Sequence, residues 1–477
     1  MKQYIAMTLG PISRVISFAE KTKELWAASY LFSYLAKQLI QPFRQRKFLL
    51  PFLTPEMDRP AVTQGAGVYP DRYIFESCKD DFDKLCKQTD LVLGELATKI
   101  ADVIQEDNML VESYLRRTLK ICFFEQSFNE TTEDVVAVCE QRLSFLECQD
   151  VYPLVEQQNY LQRFFSKVNG SFLVEDGFGK EKKGRLFETV LECASGTERK
   201  DDASGLHSYQ KYIVFVKADG DHMTRTIQHL KRQGKDVHAL SESLFHFSTN
   251  AIQCIRQYGG QVLFVGGDDL LFFAPVKRAQ QTIFDLIAEL DNLFEQSLHN
   301  ALSGIEAPSL SYGVSMTYHK FPLSEAVQQA DSLLKKAKSV QTKNRIAWSL
   351  RKHSGQMIDG VIEKREKGLY KQFGDLLALV QQPQAADEFL HSFTYWLETH
   401  QQHLAYLLSS PKESAEHMLW NCLANNFNED IHIGKDSFKK QLVDYLIACH
   451  KSLPEGPEQA IRSLASILRL IGFLMSK

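Results

Sequence analysis

The chain reads as an α+β fold, and three observations carry that reading. Between residues 212 and 350, short apolar β-type runs and helical stretches follow the order strand, helix, strand, strand, helix, strand. That order is the ferredoxin-like arrangement. Two turns rich in Gly and Asp close strands of this block, Asp219-Gly220-Asp221 and Gly266-Gly267-Asp268-Asp269. Long segments with helical patterning flank it on both sides.

Taken in order, Tyr4 to Leu9 forms a strand closed by Gly10-Pro11. Trp26, Tyr30 and Tyr34 then recur at helical spacing, with Ser29 and Ser33 alongside. An aromatic stripe of this kind is core packing; the other reading has Ser29, Tyr30 or Ser33 lining a nucleotide pocket. A Pro- and Gly-rich loop over 51–75 leads through Gly65 to Pro70 into a second strand at Arg72–Phe75. Asp81 to Phe165 reads as helical. The polar, Gly-containing stretch 166–210 is the best boundary. In the central block we expect strands at 212–217, 261–265, 270–274, 309–317 and 345–350. Helices are expected at 224–258, 279–298 and 323–340. In the last of these Ala326, Ala330, Leu333, Leu334 and Ala337 form the apolar face, and Lys335, Lys336 and Lys338 lie off it. Three lysines on a helix are ordinarily a solvated face, but near a triphosphate one would neutralise phosphate charge. From 355 onward the chain is helical with breaks at Pro383, Pro411 and Leu453–Pro457, a packing or subunit-docking region. The expected domains are 1–100, 101–208, 209–352 and 353–477.

At 477 residues the chain can hold three or four domains, each with its own core. A hydrophobic content of 44% and a charged content of 24% are ordinary for soluble proteins. The formal charge of −4 argues against a free-standing basic nucleic-acid binder and leaves room for contact through partner subunits or local patches. The nine cysteines have no C-x-x-C spacing, which fits a reduced, cytoplasmic protein without a disulfide framework or structural zinc. The Met1 start lacks the apolar run of a signal peptide. Leu464 to Met475 is interrupted by Arg469 and too short to span a membrane, so we read it as a buried helix.

The chemistry concentrates in the two acidic turns. Gln261–Val265 and Leu270–Ala274 flank Gly266-Gly267-Asp268-Asp269 as a β-hairpin, whose glycines accept the tight turn and let an anion approach the backbone. Tyr212–Val216 is a second apolar run, ending in Lys217-Ala-Asp219-Gly-Asp221. If that strand lies beside the hairpin in an antiparallel sheet, Asp219 and Asp268 meet. Two Mg²⁺ ions about 3.5–4 Å apart would then share them, one activating a 3′-hydroxyl and both neutralising the transferred phosphoryl group. Asp269 and Asp221 would complete the shell, with the Gly220 carbonyl as a further oxygen. Asp-Gly pairs are common turn residues, and either motif alone reads as structural. The two together, each at a strand end, point to a nucleotidyl-transfer centre.

Three stretches together resemble the large Palm-domain subunit of type III CRISPR effector complexes, most closely the type III-B (Cmr) form. They are Leu9–Ile16 with Lys23–Leu31, then Val216–Met223 with Gly266–Asp269, then Asn344–Leu350 with Ser354-Gly355. The resemblance implies two ferredoxin-like Palm domains facing each other, a helical middle domain and a helical C-terminal domain. Only the second Palm would carry catalytic acids. It further implies an antiviral, RNA-guided assembly in the cytoplasm, with other effector subunits, guide RNA and target RNA as partners. ATP bound between the Palms, with two Mg²⁺ or Mn²⁺ ions, would be joined into cyclic oligoadenylates with release of pyrophosphate.

Carried over by position, Asp219 and Asp268 would be metal ligands and Asp269 the supporting acid, with Gly266 and Gly267 against the triphosphate. Ala330–Lys338 also looks like a helix of GGDEF diguanylate cyclases whose last lysine touches phosphates, which singles out Lys338. The chain has no His-Asp dipeptide and none of the family's zinc-ribbon cysteine pairs, so the family's nuclease domain and zinc are expected to be absent. Some nuclease-free relatives attach AMP to S-adenosylmethionine, and that acceptor stays open. A non-catalytic scaffold is the alternative from another class, disfavoured because an unused hairpin gains nothing from clustered repelling carboxylates. A stand-alone diguanylate-type cyclase is disfavoured by the long flanking regions.

Overall fold

The computed structural model describes residues 1–58, 66–129, 134–148, 158–167, 189–197, 203–235, 237–305, 307–365, 367–378, 387–409, 417–422, 436–452 and 456–476. Strand β1 (Lys2–Gly10) is buried on both faces from Tyr4 to Leu9 because each face has its own cover. With a side-chain period of two, Ile5, Met7 and Leu9 join the large core, whereas Tyr4 and Ala6 join a smaller one. The first cover is helix α2 (Thr22–Ile40), which follows the short α1 (Ile12–Ile16). Strands β2 (Phe48–Leu50), β3 (Arg72–Glu76) and β4 (Lys120–Phe128) complete an antiparallel sheet of order β2-β3-β1-β4. Helices α3 (Asp81–Ile104) and α4 (Asn108–Thr118) connect β3 to β4. The smaller core is closed by α5 (Val135–Cys148). Two further helices, α6 (Tyr160–Lys167) and α7 (Val190–Ser195), precede the central block.

Strand β4 corrects the expectation that residues 81–165 are helical, and it carries the first sheet past residue 100. Its residues are mostly half-buried, so it shows neither clean alternation nor a fully apolar run.

The central block begins with β5 (Tyr212–Gly220), then α8 (Met223–Arg232) and α9 (Val237–Tyr258). The single helix expected over 224–258 is therefore two, parted where Gly234 takes a positive φ of 66°. The chain continues through β6 (Gln261–Gly266), β7 (Asp269–Pro275) and the small ribbon β8 (Lys277–Arg278) and β9 (Gln281–Thr282). Helix α10 (Ile283–His299) starts later than expected because Thr282 caps it in a box with Asp285. After β10 (Leu310–Tyr318) come α11 (Leu323–Lys338), β11 (Arg345–Arg351) and β12 (Met357–Glu363). The sheet order is β12-β11-β10-β5-β7-β6. Without its two added edge strands this is the same permutation as the first sheet, so both units are ferredoxin-like. Strand β12 is an addition that sequence reading missed, its residues being of mixed polarity and unevenly buried.

The two units share more than a boundary. Val265 N donates to Gly67 O at 2.9 Å, and Gly67 bridges Phe264 as a parallel extension of β6. A Cβ at Gly67 would come within 3.2 Å of Ser33 Cβ, so glycine allows the loop to lie flat on α2. The chain ends with α12 (Lys367–Ala378), α13 (Asp387–Thr399), α14 (Gln401–Leu408), α15 (Asp436–Ser452) and α16 (Pro457–Met475). Helix α16 is largely buried, and its Phe473 meets Tyr212 edge-on at 4.8 Å, tying the helical region to β5. No described helix is long and apolar enough to cross a membrane. The breaks at Pro383, Pro411 and 453–455, and most of the boundary region 166–210, lie outside the described residues.

Candidate active site

The antiparallel register between β5 and β7 does what the sequence order could not do by itself. Ala218 pairs with Leu270, so the next positions along the ladder are Asp219 and Asp269. Strands β6 and β7 close with Gly266 opposite Asp269, leaving Gly267 and Asp268 as the turn. Gly267 takes the positive φ, 70°, that a side chain would resist. Ser248 on α9 donates to Gly267 O at 3.2 Å and braces the turn from behind. Asp268 folds back over β5, so close that a Cβ at Gly220 would collide with its carboxylate and lie 2.9 Å from its Cβ. Only glycine at 220 leaves room for that approach. Asp219, Asp268 and Asp269 therefore converge.

Helix α11 lies on the same face of the sheet. Its last residue, Lys338, forms an ion pair with Asp219 and donates to Gly220 O at 2.9 Å. One turn and two turns earlier, Lys335 and Asp331 lie on the same helix face. Asp331 accepts from Lys217 of β5 and pairs with Lys335 at 2.6 Å. Burial alone would raise Asp331, but the hydrogen bonds from Lys217 and Lys335 outweigh it and hold the carboxyl below its ordinary value. Lys336 points elsewhere, pairing with Asp359 of β12 at 2.8 Å.

These groups line a cleft of about 870 Å³ whose far wall comes from the first unit, including Leu9, Gly10, Pro11 and Ile12. A neighbouring hollow of about 430 Å³ reaches Gly266, Gly267, Asp268 and Asp269 from the other side of the hairpin. Asp71, on the turn before β3, borders both. Burial pushes its carboxyl up to about 6, with Arg72 opposing and Glu147 and Glu140 adding to the rise.

Burial likewise raises Asp268, from the ordinary 3.8 to about 6, and the charge of Asp219 adds to it while Lys338 opposes. Asp269 is exposed to solvent, but within the cleft and the neighbouring hollow that it lines. Those surroundings, then Asp268, Asp219 and Asp71, hold its carboxyl well above the ordinary range. The raised Asp268 carboxyl makes stability depend on pH. Its folded form keeps a proton that the unfolded chain has lost between about pH 4 and 6, so the contribution to stability is full below 4 and gone above 6. Asp268→Asn should be more stable than the parent at pH 8, by on the order of 2 kcal/mol, with the gain vanishing toward pH 4. Thermal melts of both chains across that range would show it; equal melting at pH 8 would refute the stored repulsion.

Some expected site residues are placed differently. The Asp221 carboxylate is fully buried and accepts from Ser309 Oγ at 2.7 Å, Ser311 Oγ and Asn344 N at 2.9 Å. It is not one of the acids at the hairpin; it anchors the turn at Lys343 and Asn344, both at positive φ, that leads into β11. Ser29 borders the cleft, but its hydroxyl donates to Leu263 O at 3.1 Å across the two units. Ser33 Oγ accepts from Tyr69 N at 3.0 Å and is buried. Tyr30 stacks on Trp26 at 5.0 Å. Tyr30 and Ser33 thus pack within the first unit, while Ser29 bonds across to the second and still borders the cleft. Asp71, Lys217, Asp331 and Lys335 were not singled out beforehand as site groups. Lys217 had a signal, lying two residues before Asp219 on the same strand face; Asp71 had none.

The donor set suits a hard divalent ion. Two carboxylates and the Gly220 carbonyl offer oxygen donors, and the Lys338 ammonium sits between Asp219 and that carbonyl as a cation. Among the described residues no group of three or more His, Cys, Asp or Glu is placed so that it could hold a metal ion by itself. Magnesium bound through one or two carboxylates and completed by substrate phosphates needs no such group.

Two facing ferredoxin-like units with an acidic hairpin in one of them define a Palm-type protein. Residues 212–347 match the family described as "Cas10/Cmr2, second palm domain", and residues 4–120 match "CRISPR-associated protein Cmr2, N-terminal". The chain belongs to this Cas10/Cmr2 family of type III-B CRISPR proteins. It is 32% identical over 118 residues to the CRISPR system Cmr subunit Cmr2 of Pyrococcus furiosus, a match covering 24% of this chain and 13% of that protein. Among solved structures it resembles the type III-B Cmr-beta complex in the apo state, with a TM-score of 0.60 and 11% identity over 98% of this chain and 82% of that one. It also resembles a Csm1-Csm4 cassette in complex with cA4, with a TM-score of 0.51 and 12% identity over 99% and 70%. A cassette in complex with AMPPNP gives the same score and identity over 99% and 69%. At these identities the likeness is one of fold.

Proposed function

We propose that this chain is the nucleotidyltransferase subunit of a type III CRISPR RNA-guided antiviral complex, making a cyclic oligoadenylate from ATP in the cytoplasm when target RNA is captured. The observation that carries the reading is the convergence of Asp219, at the end of β5, with Asp268 and Asp269 of the β6–β7 turn, beside Lys338. The Csm1-Csm4 cassettes of similar fold hold cA4 and AMPPNP, which supports adenine nucleotides as ligands. Asp219, Asp268 and the Gly220 carbonyl would hold Mg²⁺ or Mn²⁺, and Asp269 would support them. Bound there, two such ions would supply charge neutralisation and an activated hydroxyl for phosphoryl transfer. Lys338, released from Asp219 as that carboxylate is taken, would meet the phosphates. Gly266 and Gly267 would let the triphosphate approach the hairpin backbone. The other effector subunits, guide RNA and target RNA are the partners this reading requires.

The test is mass spectrometry of the products formed from ATP with divalent metal and target RNA in the assembled complex, run with and without S-adenosylmethionine. Cyclic adenylates with pyrophosphate are expected; an adenylated S-adenosylmethionine would mean the same site with another acceptor. If ATP is not consumed under any of these conditions, the chain is a scaffold subunit.

A further inference from the structure

Strand β5 and helix α11 are joined across the cleft wall by two ion pairs of opposite polarity. Asp219 of the strand meets Lys338 of the helix, and two residues earlier Lys217 of the strand meets Asp331 of the helix. The first pair belongs to the reaction site proposed above. The second has no role there, yet it faces the same cleft together with Lys335. Its charges do not balance: Asp331 carries one negative charge against two ammonium groups, Lys217 and Lys335. Lys335 is 78% exposed, so its ammonium is held by Asp331 without being enclosed.

We propose that Lys217 and Lys335 form a second phosphate site on the α11 wall, one helical turn from Lys338, with Asp331 as the counter-ion that occupies the lysines until a phosphate chain arrives. The ligand class is a di- or triphosphate, either inorganic pyrophosphate or the phosphate tail of a nucleotide. The spacing carries the argument. Lys335 and Lys338 stand at i and i+3 on one helix face, about 5–6 Å apart at their Cβ atoms, which suits successive phosphates of one chain. Lys217 and Asp219 stand at i and i+2 of one strand, so they project to the same face of the sheet. A phosphate chain lying along this wall would thus meet Lys338 at one end and the Lys217–Lys335 pair at the other. Flexible ammonium groups suit this exchange, because they can leave a carboxylate for a phosphate without the planar register that arginine needs.

The proposal rests on the cleft being a nucleotide site, but its test needs no turnover. Inorganic pyrophosphate, ATP and adenosine would be titrated by calorimetry into the full chain with divalent ions chelated. Lys335→Ala and Lys217→Ala should each weaken pyrophosphate or ATP by about tenfold, as loss of one charge-assisted contact implies, and leave adenosine unaffected. Asp331→Asn should tighten the same ligands several-fold, because it frees both lysines. Weakening of pyrophosphate itself identifies the leaving group as an occupant, and weakening confined to ATP identifies the tail of a bound nucleotide. If all three variants bind pyrophosphate and ATP as the parent does, or if Asp331→Asn weakens them like the lysine variants, the triad is only a brace and the proposal fails. Lys335 is exposed enough that its alanine variant will fold. Because no metal or reaction is involved, this failure would leave the catalytic reading of Asp268 and Asp269 untouched.

Discussion

Alanine at both Asp268 and Asp269 is expected to lower ATP conversion by the assembled complex by at least ~10³-fold while leaving the chain folded and able to assemble. The size follows from what is removed: one of two carboxylates able to hold a divalent ion against the substrate phosphates, and the neighbouring acid that lines the cleft. Folding should survive, because the hairpin has supports besides the Asp268 carboxyl's own bonds to the Asp268 and Gly220 backbone amides. Its turn is carried by the positive φ of Gly267, the Ser248 bond and the β6–β7 ladder. Removal of these crowded, mutually repelling acids should instead raise the melting temperature at pH 8. Turnover and melting are to be measured on the same preparation. Parent-like turnover would remove Asp268 and Asp269 from the chemistry, and an unfolded variant would mean that the hairpin depends on their side chains after all.

Gly313→Ala is expected to cost about 2–4 kcal/mol and to lose turnover with it. Gly313 lies in the middle of β10, directly under α11. A Cβ there would collide with the Ala330 carbonyl and the Leu334 amide and lie 3.0 Å from Leu334 Cα. These are backbone atoms of a helix, so no rotamer change relieves the clash; the whole helix must lift. Lifting it withdraws Lys338 from Asp219 and Asp331 from Lys217 at once. Denaturant unfolding gives the cost, and ATP conversion under conditions where the variant is still folded gives the functional loss. A variant as stable and as active as the parent would mean that α11 is not held against β10 in solution.

How much of this was legible beforehand depends on the range over which each signal acts. The hairpin of Gly266 to Asp269 was readable because its information is local: two β-branched or aromatic runs and a turn that needs glycine. The meeting of Asp219 with that hairpin followed from the ferredoxin-like order of elements, and the register of β5 on β7 places the acids side by side. Strands β4 and β12 escaped notice because each is an edge strand of mixed polar and apolar residues without a clean alternation of burial. Asp221 was assigned to the acidic group on proximity in sequence alone. In the fold it is two residues beyond Asp219 and past the strand end, where Ser309, Ser311 and the Asn344 amide satisfy it completely.

The amino-acid order alone therefore determined the α+β class, the ferredoxin-like order of the central block, and the two acidic turns that carry Asp219, Asp268 and Asp269. These rest on periodicity, glycine placement and turn chemistry, which are short-range. Only the tertiary structure decided which polar groups share the cleft: Asp71 from the facing unit, the crossed pairs of Lys217 with Asp331 and Asp219 with Lys338, and Ser29, which borders the cleft while bonding across the units to Leu263. Those choices are made by helix-on-sheet packing and by burial, where a carboxylate or hydroxyl must find a partner from a distant part of the chain. No pattern within a single segment records which partner that will be.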